Sequence, residues 1–449
     1  MKFRHKLFIF LLSSSSSLSA QTPDSLWNYK QCVEYAIENN LYVKLQDYDV
    51  DERTEEYKQA RSQRYPNVSG FYQHSFNRGL NPDPTTNVFT QQSINTGSFG
   101  ATVGVPIFNG RKISNTIKQT KANIESSEYG VEKIENDIII QVTENYLDVI
   151  FKWENVSISK KRVRTLEEQV DRTKRLVEAG SAPLSELLDL MSQFADTERQ
   201  LTEAENSYNI ALLTLKQSMQ LDFNTLFSIE IPELSEPDTT MKFVPSNVVF
   251  QESMEIMPQI KRAEKNIEVA EFQKKIAKAD YYPSLNFNGN LNTSYSSNYT
   301  NPIDPNDNSL GTQFENFFSQ VATLQLNIPI YSRRNVKTAV NKSKITIKKN
   351  EVQLQQELND LRKNIEQAYI NALSAQKTYI SNKKSVESLE EQFRSVNKRF
   401  TSGAASTTDY VVAENNLNIA KAELNRSKYQ FIFSKKILDF YSGKEIVIE

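Results

Sequence analysis

The chain has 449 residues, 24% of them charged and 38% apolar, with a formal net charge of −2. That balance supplies no basic field for nucleic acid. Two histidines and one cysteine exclude a disulfide framework, a Cys/His zinc site and nearly every histidine-dependent mechanism, and no apolar run reaches the roughly 18 residues of a membrane-spanning helix.

Residues 1–20 read as a secretory signal peptide. Lys2, Arg4 and Lys6 precede the apolar Leu7–Leu12, a serine run follows, and Leu18-Ser19-Ala20 offers small residues for cleavage before Gln21. No cysteine follows the apolar run, so no lipid anchor is expected at the cleavage site.

The rest of the chain is a duplication. Tyr65-Pro66-Asn67-Val68 returns as Tyr282-Pro283-Ser284-Leu285, an offset of 217. Val105-Pro106-Ile107-Phe108 returns as Ile328-Pro329-Ile330-Tyr331, and Gly180 as Gly403, both at an offset of 223. The second copy therefore carries six extra residues between its two prolines, where a loop would absorb them. The expected boundaries are a first repeat over 21–221 with strands about 67–108, a linker over 222–244, a second repeat over 245–443 with strands about 284–331, and a tail over 444–449.

Each repeat reads as helix, two strands, a very long helix, a tight turn and another long helix. In the second copy Leu285, Phe287, Gly289, Leu291, Thr293 and Tyr295 alternate with Asn286, Asn288, Asn290, Asn292 and Ser294. Phe99, Ala101, Val103 and Val105 alternate with Ser98, Gly100, Thr102 and Gly104 in the first. Period-two alternation fits a half-buried soluble sheet, but the polar face is Asn, Ser and Gly rather than charged, as in a membrane barrel with a wet lumen. No proline lies between Pro106 and Pro183 or after Pro329, which leaves room for uninterrupted helices. From Leu187 the pattern is heptad: Leu187, Phe194, Leu201, Tyr208 and Leu215, each followed three residues later by Leu190, Thr197, Ala204, Ala211 and Ser218. Tyr410, Leu417, Leu424, Phe431 and Leu438 repeat it 223 residues on.

Four strands cannot close a membrane barrel, because an open edge in lipid leaves backbone groups unpaired. Copies must pool them: two give eight strands and three give twelve. Tyr65, Tyr282, Phe108 and Tyr331 stand where strands meet water, as an interfacial girdle requires. Arg111 and Arg334 follow directly. A cation at a helix N-terminus opposes the macrodipole, so anionic lipid headgroups are the expected compensation.

The Tyr-Pro before a strand, the Val-Pro-Ile-Phe-Asn-Gly-Arg after one, the long helices, the Gly180 and Gly403 turns and the constant offset together resemble the outer-membrane efflux protein (TolC-like) family. The resemblance covers about residues 25–440. It implies a mainly α fold with membrane β: duplicated long-helix hairpins form a periplasmic α-barrel, and four strands per chain join a trimeric twelve-stranded outer-membrane β-barrel. It also implies a homotrimer that serves as a passive exit duct, with no cofactor, no metal site and no enzymatic activity. The implied partners are a periplasmic adaptor and an inner-membrane pump of RND, ABC or MFS type. The family places an acidic residue six after each turn glycine, here Glu186 and Asp409, whose repetition would ring the periplasmic constriction with carboxylates. The turn residues Ala179, Gly180, Ser181, Ser402, Gly403 and Ala404 are small, as an adaptor packing tip to tip requires. The gating tyrosine, arginine and second aspartate of the family's best-known member correspond here to Phe400, Ala405 and Val412. That network is therefore not carried over, and packing at Phe400 is expected to hold the tip instead. A periplasmic adaptor would show a single hairpin between glycine-rich β halves, and a secreted coiled coil would leave the alternating strands without a purpose.

Overall fold

The computed structural model describes residues 26–82, 87–222, 224–232, 235–402 and 404–447. The expected signal segment, Gly403 and the last two residues of the tail lie outside the described residues.

The duplication is visible in element lengths. The first half runs α1 (Tyr29–Asn39), α2 (Leu41–Ser62), β2 (Asn67–Pro82), β3 (Phe89–Asn109), α3 (Lys112–Glu178) and α4 (Leu184–Ser218). The second runs α5 (Ser246–Ile256), α6 (Pro258–Ala279), β5 (Ser284–Ser296), a short α7 (Leu310–Asn316), β6 (Ser319–Asn327), α8 (Asn335–Thr401) and α9 (Thr407–Tyr441). α3 and α8 have 67 residues each, and α4 and α9 have 35 each. At 1.5 Å per residue the longer pair spans about 100 Å.

Four details differ from the sequence expectation. The opening helix of each repeat is two helices. Asn40 leaves the helical region and its side chain accepts from the Tyr42 amide, while Pro258 begins α6 at the matching break, where its missing N–H costs nothing. The linker is not only a linker: β4 (Ser228–Ile229) pairs in parallel with β1 (Leu26–Trp27), strapping it to the chain's beginning. β6 stops at Asn327, so Ile328, Ile330 and Tyr331 lie beyond the strand. Asn327 already pairs with Ser284, the first residue of β5, and nothing remains alongside for the chain to pair with. In the first half Pro106 stays inside β3, because that end of β3 has only β5 beside it and a bulge between Pro106 and Phe108 absorbs the missing donor. Finally, the second repeat exchanges strand length for a longer connection containing α7.

The strands form one antiparallel sheet in the order β2-β3-β5-β6, so each repeat contributes two strands to a shared sheet. Its register places Val68, Tyr72, Phe76 and Leu80 on the same face as Val103, Phe99, Leu291, Leu324 and Leu326. The asparagines of β5 share the other face with Ser69, Gln73, Ser98 and Thr323. Most of the large apolar residues on the first face are exposed in a single chain.

The helical core also mixes the repeats. Tyr29, Cys32 and Ala36 of α1 are buried with Val142, Tyr146 and Ile150 of α3, Ala211 and Leu215 of α4, and Tyr429 and Phe433 of α9. The Tyr146 hydroxyl donates to the Glu230 carbonyl at 2.6 Å and the Tyr29 and Thr143 hydroxyls meet at 2.7 Å, so both of these buried phenols have a partner. Burial pushes the Tyr29 phenol up to about 12. In α4 the small positions of the heptad, Thr197, Ala204 and Ala211, are buried with Leu190, while the large positions Leu187, Phe194, Leu201 and Tyr208 are half-buried.

Candidate functional site: the helix tips and the strand elbows

The tips are built by matching helix ends. α3 closes with Gly180 at φ 70°, its amide bonded to the Val177 carbonyl at 3.0 Å and the Ser181 amide to the Leu176 carbonyl at 2.8 Å. This double bond pattern needs a left-handed residue after the helix, which glycine supplies without strain. Ala404 bonds back to the Arg399 carbonyl at 2.7 Å, the same six-residue closure at the end of α8. No side-chain atom approaches the Cα of Gly180 closely enough to meet an added Cβ, so this turn stands open.

Glu186 and Asp409 both fall at the third position of the helix that follows the turn, in α4 and α9. Both carboxylates sit in a first turn, where the helix dipole favours negative charge. Asp409 has a further local partner that spacing from the glycine did not reveal. Its carboxylate accepts from the Ser406 hydroxyl at 2.8 Å and the Ser406 amide at 3.2 Å, while its own amide donates to the Ser406 hydroxyl oxygen at 3.1 Å. This reciprocal cap, led by the bond from the Ser406 side chain, holds the Asp409 carboxyl below the usual carboxylate range. The pattern Ser406-Thr-Thr-Asp409 was the signal for it.

Phe400 is half-buried at the end of α8, with the Tyr410 ring at 4.9 Å and the Arg172 guanidinium of α3 over its face at 5.4 Å. Phe393 reaches the same tyrosine at 5.4 Å. The residue in the position of the family's tyrosine thus meets a cation from α3 and a ring from α9. Ala405 and Val412 supply no polar side-chain contact.

At the other end of the long helices, Arg111 and Arg334 both hold φ at 66°, and Arg333 holds 49°. A left-handed conformation in a non-glycine residue carries strain of about 1–2 kcal/mol, and neither arginine caps its helix with its side chain. Both are exposed. Lys112 beside Arg111 is tied to Asp280 at 2.8 Å, which joins the first elbow to the end of α6. Tyr65, Phe108, Tyr282 and Tyr331 are all exposed around these elbows. The structure therefore brings the expected membrane-interface residues to one end of the helices and the expected constriction residues to the other.

Among the described residues no cluster of three or more His, Cys, Asp and Glu side chains is placed to hold a metal ion, and no helix is long and apolar enough to cross a membrane. A β-barrel is a separate matter, and the sheet already presents an apolar face.

The sequence pattern of the family described as "Outer membrane efflux protein" matches residues 33–219 and 249–443. The outer membrane protein TolC of Vibrio cholerae is 20% identical over 226 residues, covering 50% of this chain and 49% of that protein. Nodulation protein T of Rhizobium leguminosarum is 22% identical over 177 residues, covering 39% of this chain and 36% of that one. The chain thus spans about half, or less, of the length of these curated relatives. In structure it resembles the CmeC outer membrane channel of Campylobacter jejuni, with a TM-score of 0.77 at 18% identity, covering 99% of this chain and 93% of that one. With the family pattern spanning both halves and the same fold repeated end to end, this chain belongs to the outer membrane efflux protein family.

Proposed function

We propose that three copies of this chain form a passive exit duct through the outer membrane, continued by their helices into the periplasm. The observation that carries this reading is the sheet. Four strands, apolar on one face and polar on the other, end in β2 and β6, and among the described residues no strand lies beyond either. A barrel in lipid requires closure, and twelve strands from three copies supply it. In this reading the channel itself is passive, and an inner-membrane pump of RND, ABC or MFS type supplies the energy. A periplasmic adaptor meets the duct at the small turn residues Ala179, Gly180, Ser181, Ser402, Gly403 and Ala404. Six carboxylates, Glu186 and Asp409 from each copy, favour cations at the periplasmic mouth. Arg111 and Arg334 face anionic headgroups of the inner leaflet, an attraction that offsets both their strain and their unfavourable place in the helix dipole.

The first experiment is the protein mass of the detergent-extracted particle taken from the outer-membrane fraction. Three chains per particle are expected, and a single chain in a soluble fraction overturns the reading. Single-channel recording of the same particle tests the mouth. Glu186→Gln with Asp409→Asn is expected to lower its preference for cations over anions, and an unchanged preference removes the carboxylate ring from the proposal.

A further inference from the structure

The sheet's own register predicts how two copies meet. Asn67 of β2 pairs with Gly104, Gly104 with Asn288, and Asn288 with Thr323 of β6, so Thr323 lies in line with Asn67 of its own chain. Closing a barrel adds an offset to that line. Strands about 4.8 Å apart and tilted by about 35–45° accumulate an offset of about four to six residues over four strands. Thr323 lies on the polar face, so only even offsets keep that face continuous. It therefore meets Phe71 or Gln73 of the next copy. An offset in the opposite sense would bring it beside residues 61–63, where α2 ends and no strand exists.

Counting upward along antiparallel strands from that contact fixes the outer rim. Five residues above Thr323 stands Phe318, and five above Phe71 or Gln73 stands Phe76 or Arg78 of the neighbour. In the first register Phe318 faces Phe76 directly, and in the second Phe76 is its diagonal neighbour, still within reach of an aromatic ring. Phe76 lies on the apolar face of β2, Phe318 stands one residue before β6, in the turn that leaves α7, and both are open in the single chain, Phe76 at 65% and Phe318 at 53% exposed. Above them the β2–β3 ribbon continues without β5. Thr96 is the last residue of β3 paired to that strand, yet β2 and β3 stay paired up to Pro82 and Phe89. Each ribbon is buttressed on its β3 side by its own chain, where the Ser297 amide bonds to the Asn95 carbonyl at 2.8 Å and the Asn298 amide group to Gln92 at 2.8 Å. On its β2 side the ribbon is tied back lower down, where His74 Nδ1 and the Tyr295 hydroxyl of β5 meet at 2.8 Å, and above that Phe76 and Leu80 are 65% and 69% exposed.

We infer that Phe318, at the foot of the connection holding α7, packs against Phe76 of the neighbouring copy and clasps the subunits together at the outer rim of the barrel. The six residues gained by the second repeat then have a use: they build the connection that supports the ribbon of its own chain on one side and the next chain's ribbon on the other.

This inference rests on the trimeric reading, and the experiment separates the two. Phe318→Cys and Phe76→Cys are placed in the full-length chain in its native membrane and treated with a short thiol-to-thiol reagent that spans direct and diagonal neighbours. A second chain carries Leu326→Cys and Val68→Cys, which the same two registers put side by side low on the seam. The natural Cys32 is wholly buried and its thiol is pushed up to about 12 by that burial, so it stays out of the reaction. Covalent dimers and trimers from both pairs are expected, with none from any single cysteine. Cross-linking of the lower pair alone leaves the trimer standing and overturns the clasp. Cross-linking of neither pair overturns the pooled barrel and the clasp with it.

Discussion

Ser406 and Asp409 show how one short sequence serves a fold and a site together. The reciprocal cap fixes where α9 begins, and so fixes the height at which the carboxylate faces the tip. Replacing an N-cap serine by alanine costs about 1 kcal/mol. Ser406→Ala is expected to speed amide exchange in the first turn of α9 about fivefold and leave the middle of the helix unchanged. The pH dependence has a defined sign. Asp409 titrates below the ordinary carboxylate range, so its stabilisation is present above that range and lost as the pH falls through the lowered folded value. Asp409→Asn is expected to flatten this dependence in the same exchange measurement. The four-residue pattern was legible in the sequence, as were both elbow arginines by their offset of 223. Their left-handed backbone was not. Glycine usually takes that conformation and gives it away by identity, whereas an arginine there is imposed by the join between strand and helix.

Helix α4 was legible for the opposite reason: its heptad sets large residues against a seam on which the structure buries Leu190, Thr197, Ala204 and Ala211. Close approach of helices leaves no room at such positions, and overpacking costs about 1–3 kcal/mol. Ala211→Leu is expected to lower the melting temperature of the helical signal, while Ile210→Leu on the exposed side of the same turn leaves it unchanged. The seam between the hairpins carried no such periodic signal, because it joins residues hundreds of positions apart. α3 and α9 meet there around a groove of about 250 Å³ lined by Arg162, Gln193, Asp196, Glu414 and Asn415. Burial, with Glu168 nearby, raises the Glu414 carboxyl above its ordinary range. Such a group weakens the seam as the pH rises from the ordinary carboxylate value through the raised one, and the penalty is complete above it. Arg172, which lies over Phe400, works the other way, since a cation over a ring at a partly open site contributes about 0.5–1 kcal/mol. Glu414→Gln is expected to reduce spontaneous opening in single-channel records at neutral pH. Arg172→Gln is expected to raise it by a factor of about 2–5, the ratio that this energy range sets.

Over the whole molecule, the duplication, the long helices and the two-faced strands could all be read from spacing. What could not be read was how thoroughly the repeats are interleaved. β3 pairs with β5, and Tyr429 and Phe433 of the second repeat complete a core begun by Tyr29 and Cys32 of the first. Periodicity reports which face of an element is buried but not which partner buries it. Neither repeat is expected to fold alone. Residues 21–221 and 245–449 expressed separately should each lack a cooperative thermal transition, and their co-expression should restore one. A cooperative transition in either half by itself would contradict the interleaved core.

The equal lengths of α3 and α8, and of α4 and α9, carry a consequence for how such a chain can change over time. A residue inserted into one long helix would lower its turn by about 1.5 Å and rotate everything beyond it by about 100°. The two turns would then leave their common plane and the heptad would face the wrong way. A viable change must be made in both limbs of a hairpin, and in both hairpins. The outer connections obey no such bookkeeping, and there the two halves already differ by six residues. The inner end of the molecule is thus a datum that drifts only by concerted edits, while the outer end is free to be rewritten one residue at a time.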